Sequence, residues 1–147
     1  MTAKGVHNTE DMFKWFKKKH PKSDVNKKQF KYVVDEYFKR VVQSILEGKT
    51  YNMGHRLGKF RIKKIKRTYN KPIVDYYETK KMFKEGKNVV VYYTDEYWYR
   101  YYWEKRVCQV KNKTVYSFKP TKGASGNTKK LVAKLKGDEF AYLLYSE

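Results

Sequence analysis

The sequence predicts an α+β fold: two N-terminal helices, a β-hairpin with an extended aromatic β-arm, and a short C-terminal helix. Three observations carry that expectation. Apolar residues recur at helical spacing from Phe30 to Leu46. Basic and apolar residues then alternate through Lys59–Lys66, behind a turn bracketed by Gly54 and Gly58. Finally, a dense aromatic run alternates from Tyr97 to Val107, the pattern of a long strand buried on one face and half-covered on the other.

The helical part is expected over residues 9–48. Thr9 is a suitable N-cap, Glu10 and Asp11 sit well in a first turn, and Met12, Phe13 and Phe16 share one face. This helix runs through Lys17-Lys18-Lys19 and stops before Pro21. Ser23 or Asn26 can open the next helix, and Asn26 with Gln29 has capping-box spacing. Phe30, Val33, Val34, Tyr37, Val41 and Ile45 form its stripe, and Gly48 stops it. Phe38 and Val42 widen the stripe, so two sides of the helix call for cover, as in a dimer or ring subunit.

Residues 49–120 read as sheet and arm. Thr50 to Met53 is a short strand, and Ile65 breaks the alternation of the basic strand, which suggests a bulge or the root of a projecting arm. Asn70-Lys71-Pro72 and Glu85-Gly86-Lys87-Asn88 are turn chemistry, with strands expected at Ile73 to Tyr77 and Val89 to Tyr93; Thr79 to Lys84 is ambiguous. Lys111-Asn112-Lys113 is expected to turn the chain into a strand over Thr114 to Lys119. In residues 121–147, Gly123 to Asn127 is a flexible loop. Thr128 caps a short helix carrying Leu131, Val132 and Leu135, which stops at Gly137. The tail Phe140 to Tyr145 is too apolar for a free end and should dock on this subunit or the next. No internal repeat or domain-sized linker divides the 147 residues, which read as a single domain.

Composition narrows the partners. Lys and Arg total 35 against 15 acidic residues, a net charge of +20, which calls for a polyanionic partner or a place beside one. Fifteen Tyr, eight Phe and three Trp argue against disorder and favour strands and interfaces. The single Cys108 rules out an intrachain disulfide, fits a reducing compartment and reads as a buried, inert thiol in a strand. No run is apolar enough to cross a membrane and no secretory h-region opens the chain, so a soluble, unsecreted protein is expected.

Three segments in order resemble the histone-like HU/IHF family. Val34-Asp35-Glu36-Tyr37-Phe38 followed by Leu46-Glu47-Gly48 is similar to that family's second helix and its glycine stop. Leu57-Gly58-Lys59-Phe60-Arg61-Ile62 is similar to its Phe-Gly-x-Phe strand. Val115 to Pro120, then Leu131 to Leu135, resembles its closing strand and final helix. Members that bend DNA carry Arg-Asn-Pro at the arm tip, where proline wedges between base steps. Here only Tyr69-Asn70-Lys71-Pro72 is offered, too early and without arginine, and the arm region is long and aromatic. That combination resembles the divergent HU/IHF-like virion proteins of tailed bacteriophages, especially the crAss-like group. The resemblance implies a homo-oligomeric ring at the neck or tail, between portal and tail proteins, with arms packed on neighbours.

Function hypotheses of three classes follow. In a structural ring or connector, Tyr97, Trp98, Tyr99, Tyr101, Tyr102 and Trp103 with Phe140, Tyr142, Leu143, Leu144 and Tyr145 would make intersubunit contacts. In an architectural DNA-binding protein, Lys59, Arg61, Lys63, Lys64, Lys66 and Arg67 would neutralise duplex phosphates, although alternation splits them between two faces. In a single-strand binder, Tyr99-Arg100-Tyr101-Tyr102 would combine stacking with charge. An enzyme is not expected. His7, His20 and His55 are scattered, and no zinc-ligand spacing, phosphate loop, nucleophile elbow or dinucleotide fingerprint occurs, so neither a metal nor a cofactor is expected.

Overall fold

In the computed structural model, residues 8–68 and 71–147 are described. They form a mixed α+β fold of four helices and a three-stranded antiparallel sheet in the order β1-β2-β3. Helix α1 (Thr9–Lys19) is opened by Asn8 rather than Thr9; the Asn8 side chain accepts from Glu10 and Asp11 N–H, and Asp11 answers as the second half of a capping box. A β-region residue with a short amide caps better than threonine, which here begins the helix itself. Helix α2 (Lys27–Leu46) starts on the Asn26–Gln29 capping box as the spacing predicts, and Gly48 ends it at φ +85°. Phe13 and Phe16 of α1 pack on Phe30 at ring separations of 5.4 and 5.1 Å, which fastens the two helices together.

Strand β1 (Tyr51–Asn52) pairs with the start of β2 (Lys59–Lys66), which pairs along its full length with β3 (Tyr97–Glu104). Of the two alternatives at Ile65 the bulge is absent, since Ile65 lies opposite Trp98 in an unbroken register from Lys59↔Glu104 to Lys66↔Tyr97, and the strand ends one residue later, where the long β2–β3 connection begins. The alternation breaks because Ile65 lies on the opposite face from Ile62 and packs beside an aromatic neighbour there, not because the strand bends. The aromatic strand ends at Glu104, three residues short of Val107.

The long β2–β3 connection is an arm, and its interior corrects the reading of two strands. Ile73 to Tyr77 and Val89 to Tyr93 contribute one bridge, Val74↔Tyr92, flanked by hydrogen bonds from Tyr93 N–H to Ile73 O and Asp75 N–H to Val91 O. Between them lies α3 (Tyr76–Lys84), resolving the ambiguous stretch as helix. Asp75 decides it, accepting from Tyr77 and Glu78 N–H, ahead of the good helix formers Glu78, Lys80, Lys81, Met82 and Lys84. The predicted turn at Asn70 lies outside the described residues.

No strand forms over Thr114 to Lys119. The Lys105 ammonium donates to the carbonyls of Lys113 and Tyr116, so groups a strand would pair are taken by a side chain. Asn112 still makes the expected turn, at φ +53°. Cys108 is buried, as expected, but in this irregular segment rather than a strand. Helix α4 (Asn127–Gly137) begins one residue before Thr128, with Gly126 at its cap; the Thr128 hydroxyl instead bonds Thr121 O.

Ile45 and Leu46 of α2, Ile62, Tyr101, Leu131 of α4 and Tyr145 form the core, with Val41, Val42, Tyr51, Phe60, Tyr99 and Leu135 packed around it. After a 3-10 turn (Ala141–Leu144), the tail docks on its own chain. The Tyr145 hydroxyl donates to Leu46 O at 2.7 Å, satisfying a carbonyl that the end of α2 leaves without a helical partner.

Three substitutions test this packing. Gly58 sits at φ +95° and an added Cβ would run into Glu104 O, whereas Gly54, at φ +69°, has open space around it. Gly54→Ala is expected to cost about 1–2 kcal/mol for the left-handed backbone alone, and Gly58→Ala measurably more. Tyr145→Phe should cost about 1–3 kcal/mol by stranding the Leu46 carbonyl. Urea titrations of the variants measure all three.

Candidate functional site

The β2–β3 ladder has two unlike faces. Phe60, Ile62 and Lys64 share one with Tyr99, Tyr101 and Trp103, and this face carries the core. Lys59, Arg61, Lys63 and Ile65 share the other with Trp98, Arg100, Tyr102 and Glu104. The alternation of the basic strand is therefore real, and it does split the cations as read from the sequence.

Most of the predicted phosphate-binding cations have partners within the chain. Arg61 donates to Ser146 Oγ at 2.9 Å and to the main-chain oxygens of Ser146 and Glu147 at 3.3 and 3.0 Å. Lys64 N–H donates to Ser146 O, which lays the tail against β2, and the Lys64 ammonium sits 4.0 Å from the centre of the Tyr97 ring. Lys66 pairs with Glu96 at 3.2 Å, which raises the lysine's pKa. Arg67 lies over Tyr93 and reaches Tyr97 O. Lys59 and Lys63 make no ion pair among the described residues.

Arg100 is the residue that sequence reasoning underused. It lies directly opposite Lys63, and its guanidinium sits 5.2 Å from the Trp98 ring and 5.8 Å from the Tyr102 ring. Lys63 lies 5.3 Å and Arg61 6.0 Å from the same Tyr102 ring. The signal was present in the paired alternations of the two strands, but only the register brings Lys63 and Arg100 together.

The aromatic candidates for an interface divide three ways. Tyr101 and Tyr145 are core residues. Tyr97, Tyr99, Tyr102 and Trp103 are half-buried, with Trp103 Nε1 donating to Leu57 O at 2.8 Å. Trp98, Phe140, Tyr142, Leu143 and Leu144 are exposed. The arm and the first half of α2 add exposed apolar groups that the expectation did not list: Tyr76, Tyr77 and Phe83 of α3, and Tyr32 and Val33 of α2. Phe60, Trp103, Tyr116 and Phe118, with Met53 and Leu57, line an open apolar cleft of about 430 Å³ at the far end of the ladder from the arm. Among the described residues, no three His, Cys, Asp or Glu side chains group as a metal site, and no helix is long and apolar enough to cross a membrane.

The surroundings of two core tyrosines, Tyr101 and Tyr145, and of Tyr99 packed beside them, raise their pKa values. Burial pushes the Tyr101 hydroxyl up to about 12, and that hydroxyl has no hydrogen-bond partner among the described residues. Burial, then the neighbouring negative charges, also raises Tyr99 and Tyr145. Unfolded tyrosine titrates near 10, so above about that pH the unfolded chain releases protons the native state retains. Stability is therefore fully present below about pH 10 and falls as pH rises toward 12. Denaturant midpoints measured across this window should drop, and Tyr101→Phe should flatten the drop without lowering the midpoint at pH 7.

No protein-family model, curated protein or solved structure matches this chain.

Proposed function

We propose that this chain is a non-enzymatic virion protein with an HU/IHF-like fold, which assembles with copies of itself into a ring at the head-tail junction of a tailed phage. Portal and other neck or tail proteins would be its neighbours. The observation that supports this reading is exposed surface. The chain exposes 12502 Å², where a compact monomer of 17.8 kDa exposes about 8,000 Å². The excess is rich in large apolar side chains on α2, the arm and the tail. Patches this extensive belong in contact with other protein.

The order of elements supports the fold half of the proposal: two N-terminal helices, a short hairpin, an arm, a returning strand and a final helix. The arm departs from the DNA-bending type, since it carries α3 and exposed Tyr76 and Tyr77 rather than an intercalating wedge. The alternative is an architectural protein gripping duplex phosphates along its basic strand. It has less support, because Arg61, Lys66 and Arg67 are engaged within the chain.

Native mass spectrometry and negative-stain electron microscopy of the purified protein, alone and with a portal complex, test the proposal. Closed rings, or rings formed on the portal, are expected. A monomer or dimer that stays so with portal present, and is missing from virions, would overturn it.

A further inference from the structure

We infer that the open face of the β2–β3 ladder is a binding platform for single-stranded nucleic acid, centred on Lys63 and Arg100 and flanked by Trp98 and Tyr102. This face carries an electrostatic cost. Lys63 and Arg100 are directly opposite in the register, on the face away from the core, and like charges so placed repel. No carboxylate pairs with either among the described residues. A phosphate between them would turn that repulsion into two attractions.

The surroundings suit a nucleotide. Arg100 is held between the Trp98 and Tyr102 rings and spends none of its donors on a hydrogen bond within the described chain, so its fork is positioned and unsatisfied. Trp98, Arg100 and Tyr102 alternate along one strand face at about 6.7 Å per step, giving a row of ring, cation, ring. Trp98 is 37% exposed, and Arg100 is exposed too. Ile65 beside Trp98 extends the apolar end of the row.

Single-stranded rather than duplex nucleic acid fits because the rings matter only to unstacked bases. A duplex keeps its bases stacked and offers this face phosphates alone. The competing account is that the rings serve the cations as an internal ladder and nothing else. Ring assembly is not required for the inference, which stands on the sheet face of one chain.

The test is fluorescence anisotropy of the full-length protein with labelled oligo(dT) of about 20 nucleotides, and with a duplex of the same length, at two salt concentrations. The strand should bind about ten-fold more tightly than the duplex. Arg100→Gln and Lys63→Gln should each weaken strand binding at least about five-fold and lower the salt slope by about one. Trp98→Ala should weaken it by about five-fold or more, while Trp98→Phe keeps most of the affinity. Lys28→Gln with Lys31→Gln, on α2 and away from the face, should change it by less than about two-fold. Equal affinity for duplex and strand, full affinity in Trp98→Ala, or an equal loss in the α2 control would overturn the inference. Trp98→Phe and Lys63→Gln, the mildest changes, decide the matter if a harsher variant fails to fold.

Discussion

The contact on which the rest of the molecule depends is Ile62 against Tyr101, directly opposite each other in the β2–β3 ladder. Both are buried, and around them gather the last turn of α2, Leu131 of α4 and Tyr145 of the tail. Three further stretches of chain meet at this pair, so the sheet face at Ile62 fixes where the end of α2, α4 and the tail sit. Tyr145 completes the junction by bonding the Leu46 carbonyl, which ties the tail to the end of α2 and lets Ser146 reach the β2 backbone.

That core is small for 147 residues, and no large side chain in it is fully buried. Its size shapes everything outside it. Only the end of α2 is buried, leaving Val33 and Tyr32 facing outward, and the arm is closed by a single bridge and a helix. Hydrophobic burial supplies most of the favourable free energy of folding, and in the proposed ring the unburied apolar area would contribute more of it through contact between copies. The charge of +20 would oppose the proposed association of like copies, and a polyanion near the ring would lower that repulsion.

Much of the fold was legible in the sequence where local chemistry and global packing agree. Asn26 and Gln29, Gly48, the turn from Gly54 to Gly58, and strand Lys59–Lys66 all stand where their residue types place them. The arm was misread because tyrosine and valine near turns suggest strands, while one capping aspartate at Asp75 favours a helix. Thr114 to Lys119 misled for a different reason: the Lys105 ammonium, distant in neither space nor sequence but invisible to periodicity, takes carbonyls that a strand would have paired. For the candidate site, the split of the basic strand between faces was readable from alternation. The pairing of Lys63 with Arg100, and the commitment of Arg61 to Ser146, depend on register and on tail docking, which no local pattern encodes.

The central claim is that this chain completes its packing with other copies of itself. Amide hydrogen exchange of the purified protein at low and high concentration tests it most directly. The account predicts that protection in residues 30–40 of α2 and 73–92 of the arm rises with concentration, while the β2–β3 ladder stays protected throughout. Protection in those segments that is the same at every concentration, in a chain that sediments as a monomer, would contradict it.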